Sequence, residues 1–216
     1  MVNSLPVITT AATETWVDAD WEDFLTFADD PTLVKGRFYY DQNQMRIEMS
    51  PLGVAHGRDN TVVSLVINLY ATVRNIPILG LINTTFRKFR MQEAQPDIAF
   101  YMGADLRFPP HNNTPINLDD WMPPTLVVEI AASSLSDDLD RKQRLYLRMG
   151  VREYWVVDVS GGRVFAFSLS ASEVTLIHDS QVLPGLAIST VEEALVRSQS
   201  EDDGAISRWL LATLIG

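Results

Sequence analysis

Three charged residues stand where apolar ones are expected, and together their types suggest one chemistry. Glu129 interrupts residues 126–132, an apolar run rich in β-branched side chains. Asp97 follows Pro96 and opens the apolar stretch 98–101. Lys142 falls in the middle of a helical arc formed by Leu135, Leu139, Tyr146 and Met149, while Arg141, Arg144 and Arg148 take the opposite side. Two carboxylates on adjoining strands repel unless one takes up a proton or a divalent cation lies between them. Mg²⁺ held that way keeps several waters and takes phosphate oxygens. A nearby ammonium stabilises the charge that develops when water attacks a phosphodiester. Asp97, Glu129 and Lys142 are therefore candidates for metal-assisted phosphodiester hydrolysis. Bland readings compete with this one: an Asp at a turn after Pro96, a Glu paired with a buried Arg, and a Lys snorkelling from under its helix.

Several elements must form for these side chains to meet. Thirty-two residues separate Asp97 from Glu129, enough for their strands to pair around an intervening loop; residues 102–124 hold five prolines and His111 and read as that loop. Residues 78–82, 85–90 and 98–101 read as successive strands, followed by the strand at 126–132 and a helix running to Met149. Upstream, Trp21, Phe24, Leu25 and Phe27 alternate with acids as a short helix capped by Asp18 or Asp20. Residues 36–41 and 44–49 predict a hairpin about Gln42-Asn43 that ends at Ser50-Pro51, with Glu48 near its end. Val54 to Val73 has the spacing of a long amphipathic helix with His56 in its first turn. Downstream come a hairpin around Gly161-Gly162, a strand at 174–178 and a turn at Pro184-Gly185. A helix from a Thr190 cap to Arg197, a polar loop at 198–204 and a final helix at 206–215 complete the chain.

Composition bounds the function. The 216 residues are 46% hydrophobic, which suits a single domain with a substantial core. With no Cys, disulfides and thiolate metal sites are excluded. The first basic residue is Lys35 and no apolar run approaches the ~20 residues needed to span a bilayer, so the expectation is a cytoplasmic protein with no membrane partner. A net charge of −11 argues against a general nucleic-acid binder, but the acids are concentrated in the flanks. Residues 1–30 carry seven acids and no base, whereas residues 31–163 carry 15 bases against 14 acids. Within that middle stretch Arg87, Lys88 and Arg90 bracket Phe89. A basic strand with an interleaved aromatic could follow a phosphate backbone, and solvated strand charges would look the same.

Pro96-Asp97 followed by Glu129-Ile130-Ala131 resembles the PD-(D/E)xK motif of restriction-endonuclease-like nucleases. More closely, residues 20–195 resemble the Uma-two family, formerly a domain of unknown function and described as endonucleases. The resemblance rests on Glu48-Met49-Ser50-Pro51 with His56 after it, on Pro96-Asp97, on Glu129-Ile130, and on the helical series Asp138, Lys142, Tyr146. Gly150-Val151 leading into Glu153-Tyr154-Trp155-Val156-Val157-Asp158 completes it.

The resemblance implies an α/β fold: a restriction-endonuclease-like mixed β-sheet flanked by helices, with extra helices at both ends. Residues 1–15 would be a loose arm and residues 205–216 a docking helix. It implies Mg²⁺ or Mn²⁺ on Asp97 and Glu129, with the backbone carbonyl of Ile130 completing the site. Ala131 departs from the superfamily motif, since many of these nucleases place their catalytic Lys there; the role would pass to Lys142. Ala132-Ser133 also departs from the family's usual Ser-Pro, although Ser134 matches. Glu48, His56, Asp138 and Tyr146 become additional site candidates, His56 as a phosphate or water contact or as a helix-start acceptor. The implied activity is a divalent-metal-dependent endonuclease acting on DNA. The alternatives are a catalytically degenerate nuclease fold used for binding, and a phosphodiesterase acting on RNA or a small phosphodiester. Exposed hairpin edges and an apolar C-terminus are compatible with a homodimer.

Overall fold

The computed structural model describes residues 14–33, 36–49, 52–170 and 173–215. In chain order the elements are β1 (Val17–Asp18), α1 (Trp21–Ala28), a 3-10 turn (Pro31–Leu33), β2 (Arg37–Asp41), β3 (Gln44–Glu48), α2 (Val54–Val73), β4 (Ile78–Ile82), β5 (Phe86–Lys88), β6 (Gln92–Ala94), β7 (Ile98–Met102), β8 (Ile116–Asn117) and β9 (Leu126–Ala131). They continue as α3 (Leu135–Asp137), a π-helical turn (Asp138–Lys142), α4 (Gln143–Met149), β10 (Glu153–Asp158), β11 (Arg163–Ser170), β12 (Glu173–Ile177), α5 (Ile188–Arg197) and α6 (Asp203–Ile215). The chain groups into two compact units. One comprises Met1–Pro51, Thr85–Gln95 and Asn113–Met122; the other comprises Leu52–Thr84, Pro96–Asn112 and Pro123–Gly216.

The first unit is built on a sheet of order β1-β3-β2-β6-β5-β8, antiparallel except for the β5–β8 pair. Gln42 and Asn43 take positive φ of 51° and 58°, the left-handed pair that a two-residue hairpin loop requires, and so fix the β2–β3 register. The Asp20 carboxylate accepts from the Asp23 N–H and caps α1, which buries Trp21, Phe24 and Phe27 against Phe38, Tyr40, Met45 and Ile47. Most of the N-terminal arm lies outside the described residues, as does the predicted hairpin end at Ser50-Pro51. The last part of the arm is tied down, since the Glu14 N–H donates to the Ile47 carbonyl at 2.8 Å.

The second unit has a mixed sheet of order β12-β11-β10-β9-β7-β4, in which β9 and β10 run parallel and the other pairs antiparallel. Strand alternation gives it two different faces. Ile98, Phe100, Leu126, Val128, Ile130, Trp155 and Val157 share one buried cluster with residues of α2, α5 and α6. In α6 these are Ile206, Leu210 and Leu214, so the apolar C-terminal segment is part of this core. Glu129 alternates onto the other face, where α4 supplies Tyr146 and β10 supplies Tyr154. Among the described residues no helix is long and apolar enough to cross a membrane.

The helical segment after β9 differs from the uniform helix that its spacing predicts. A 100° wheel turns Leu139 inward, but Leu139 is half-buried and Asp138 is 1% exposed. The cause is the π turn, whose wider winding shifts the phase and brings Asp138 onto the same side as Lys142. Gly150, at φ 88°, ends α4. Its N–H donates to the Leu147 carbonyl and that of Val151 to the Tyr146 carbonyl, both at 3.1 Å, and the chain turns into β10. The next helix also begins earlier than predicted: α5 starts at Ile188 after Ala187, with no side-chain cap, and Thr190 lies inside it.

Candidate active site

The register of β7 and β9 decides where the two acids fall. Ile98 pairs with Val128 and Ala99 with Val127; continued by one residue, this antiparallel ladder sets Asp97 opposite Glu129. Both residues are 1% exposed. Asp97 ends the regular pairing: its Oδ2 accepts from the Ile130 N–H at 2.8 Å, so one oxygen is locked to the backbone beside Glu129. Its Oδ1 stands 3.1 Å from His56 Nε2, within ion-pair range but out of line for a hydrogen bond. His56 is itself buried in the first turn of α2, so that helix start faces this carboxylate. One turn further on, burial pushes the Asp59 carboxyl above its ordinary range, against the pull of His56 and Arg58.

Glu129 meets the helical segment. Its Oε1 accepts the Tyr146 hydroxyl at 2.6 Å and lies 3.8 Å from Lys142 Nζ. Lys142, 1% exposed, is closer to Asp138, whose Oδ1 stands 2.9 Å away. Asp138 is also 1% exposed, and its Oδ2 accepts the Ser134 hydroxyl at 2.5 Å. The Asp138 carbonyl accepts the Tyr154 hydroxyl at 3.0 Å, and the Tyr154 ring packs on Tyr146 with centroids 5.1 Å apart. A buried ammonium thus faces two buried carboxylates. The compensation that a charge in this setting needs comes from the π turn on one side and from β9 on the other.

Within the second unit the structure joins Asp97 to His56 and the Ile130 N–H, and joins Glu129 to Tyr146, Lys142 and, through Lys142, Asp138; the β7–β9 register sets the two groups side by side. Ser134 and Tyr154 join them as residues that sequence reasoning assigned no part in the site. For Ser134 the signals were its match to the family and its i,i+4 spacing to Asp138, and for Tyr154 its place in the Glu153-Tyr154-Trp155 run that carries the resemblance. The other candidates, Glu48, Arg87, Lys88 and Arg90, lie in the first unit, Lys88 at the end of β5. Glu48 accepts from Arg46 Nε at 3.0 Å and pairs with Arg37 Nη2 at 3.1 Å. Arg87 pairs with Glu93 and Asp29, and Arg90 with Glu22. Burial pushes the Glu93 carboxyl up although the Arg87 guanidinium opposes it. The buried Glu–Arg arrangement considered for Glu129 is therefore found at Glu48 and Glu93.

The donor set bears on which ion could bind. Among the described residues no group of three or more His, Cys, Asp or Glu side chains is disposed to hold a metal, so a closed site of protein ligands is not formed. Mg²⁺ does not need one, because it is commonly held by one or two carboxylates with water filling the remaining positions. Asp97 and Glu129, set opposite one another by the strand register, are carboxylate oxygen donors, the type that a hard cation of that kind takes.

A six-stranded mixed sheet with helices on both faces and buried acid and lysine side chains at its centre places this chain among nuclease-like α/β folds. The crystal structure titled "putative nuclease belonging to DUF820 from Anabaena variabilis" has the same fold. It superposes with a TM-score of 0.51 at 18% sequence identity, over 73% of this chain and 90% of that one. The chain belongs to the Uma2 family, described as "Putative restriction endonuclease", whose model matches residues 21–200. A search of curated proteins finds no match.

Proposed function

We propose that this protein is a divalent-metal-dependent endonuclease that hydrolyses phosphodiester bonds in DNA. The observation that carries the reading is the buried constellation of Asp97, Glu129 and Lys142, drawn from two paired strands and one helical turn. Asp97, Glu129 and the Ile130 carbonyl would hold Mg²⁺ or Mn²⁺, which when bound supplies Lewis-acid stabilisation of the phosphate and a more acidic water. The chain's own groups do the rest. Lys142 Nζ, 2.9 Å from Asp138 and 3.8 Å from Glu129, would place its ammonium where the pentacoordinate phosphorus gathers negative charge on its oxygens. The Tyr146 hydroxyl holds the Glu129 carboxylate in one orientation, and the Ile130 N–H does the same for Asp97. His56 Nε2 lies beside Asp97 as a further contact for phosphate or water.

A panel of supercoiled plasmid, single-stranded DNA, RNA and bis-p-nitrophenyl phosphate, each with Mg²⁺ or Mn²⁺, tests the substrate. Plasmid cleavage that disappears with EDTA and in Asp97→Asn supports the proposal. Cleavage of RNA or the small diester alone would reassign the substrate while keeping the site.

One observation favours a second reading, a nuclease fold used only for binding: Lys142 stands nearer to Asp138 than to Glu129. Calorimetric titration with Mn²⁺ separates the two. Binding lost in both Asp97→Asn and Glu129→Gln supports the enzyme, and absence of binding supports the module.

A further inference from the structure

Strand β4 closes one side of the second sheet with an unusual edge. Its five residues read Ile78-Leu79-Gly80-Leu81-Ile82, the same in both directions. Two hydrogen bonds fix which backbone groups face outward. The Asn83 N–H donates to the Asp97 carbonyl at 3.1 Å, and the Gly103 N–H to the Pro77 carbonyl at 3.0 Å. Odd-numbered residues therefore point their backbone groups at β7, and the alternation of an antiparallel ladder turns those of Ile78, Gly80 and Ile82 to the free side. Among the described residues the one hydrogen bond reaching these outward groups is a weak one, from Thr84 Oγ1 to the Ile82 carbonyl at 3.3 Å.

Natural edge strands are usually guarded by a charge, a proline or a bulge. β4 has no charge and no proline, it pairs with β7 without a bulge, and Ile82 is 58% exposed. The opposite edge, β12, is a different case: it begins with Glu173 and its sequence Glu-Val-Thr-Leu-Ile is not symmetric. In α6, Ile206, Leu210 and Leu214 are buried in the core of the second unit, which leaves Ile215 at its last position as the exposed large apolar residue.

We propose that β4 is the surface through which two copies of this chain associate, antiparallel about a two-fold axis at Gly80. An isologous interface needs a self-complementary patch, and this strand supplies one in both side chains and hydrogen bonds. With Gly80 opposite Gly80 of the second copy, Ile78 meets Ile82 and Leu79 meets Leu81. Because the centre of symmetry falls on an outward-facing residue, every outward N–H finds an outward carbonyl. A register shifted by one residue would bring outward groups against groups already bonded to β7. Glycine suits the axis, since a Cβ at Gly80 would lie 2.8 Å from Phe100 Cε1, whose ring already fills that side of the strand. Association would join two six-stranded sheets into one. From the strand spacing and rise, the two Asp97 residues would sit on the order of 25 Å apart on the same face.

The test combines solution mass with register-specific cross-linking of the full chain. Light scattering at concentrations up to about 100 µM, a hundredfold above a micromolar dissociation constant, should give twice the 24.2 kDa chain mass. Ile82→Lys should give the single mass, while Leu176→Lys on β12 should leave the doubled mass unchanged. The chain has no cysteine, so introduced thiols report without background. Leu79→Cys and Leu81→Cys proteins should form a disulfide when mixed and oxidised, because these positions oppose one another, and each alone should not. A chain that stays monomeric overturns the proposal, as does a dimer that survives Ile82→Lys or a mixture that fails to cross-link.

Discussion

Replacing Asp138 by Ala removes the nearer partner of a buried ammonium. Lys142 Nζ would be left with Glu129 Oε1 at 3.8 Å in place of a carboxylate oxygen at 2.9 Å, and the Ser134 hydroxyl would lose its acceptor. Removing one member of a buried pair costs about 3–5 kcal/mol, because the remaining charge is left uncompensated where water cannot reach it. In a chain of this size each kcal/mol moves Tm by roughly 2–4 °C, so the expected fall is roughly 6–20 °C. A neighbouring pair supplies the control. Arg144 and Asp140 approach to 2.5 Å, closer than Lys142 and Asp138, but their side chains are 64% and 55% exposed. Solvent screening leaves such an i,i+4 pair worth about 0.3–0.5 kcal/mol, so Asp140→Ala should move Tm by less than about 2 °C. Thermal unfolding followed by circular dichroism measures both. Asp138→Ala combined with Lys142→Met should be less destabilising than the sum of the single changes, with a coupling of about 1–3 kcal/mol. Equal Tm shifts for Asp138→Ala and Asp140→Ala, or strict additivity in the double variant, would refute the idea that burial rather than distance sets the strength of the Lys142 pair.

Two further predictions follow from hydrogen bonds to carboxylates. Tyr146→Phe removes the donor to buried Glu129 and should cost about 1.5–3 kcal/mol in urea unfolding. At Asp158, the N–H of Gly161, with the hydroxyl and N–H of Ser160, holds the carboxyl below its ordinary value of 3.8. A depressed carboxyl contributes stability that is present above the unfolded value and lost as pH falls through the lower folded one. Urea midpoints of the natural chain and of Asp158→Ala should therefore differ above pH 4 and converge in more acidic solution.

How much of this could be read from the sequence depended on whether a residue violated an otherwise regular pattern. Glu129 within a β-branched run and Lys142 within an apolar arc were visible because periodicity predicts what should stand there. The hairpin at Gln42-Asn43 and the full extent of α2 were legible for the same reason. β6 was not, because Gln92 and Glu93 are polar residues buried among neighbouring strands; Arg87 on β5 pairs with Glu93, and no local alternation announces it. The π turn was also hidden, since a wheel assumes uniform winding and so turned Leu139 inward in place of Asp138. The opposition of Asp97 and Glu129 is a matter of register. Their separation in sequence allowed it, but only the Ile98–Val128 pairing sets it.

The most direct test of the central claim is the rate of Mg²⁺-dependent cleavage by the natural chain against Glu129→Gln, measured on whichever nucleic acid is cut. The substitution keeps the side chain's shape and an oxygen that can accept from Tyr146, and removes the charge. If Glu129 acts with Asp97 and Lys142 on the phosphodiester, the rate should fall by about 10²-fold or more, while Tm shows a folded protein. Cleavage by folded Glu129→Gln at the natural rate would contradict the account.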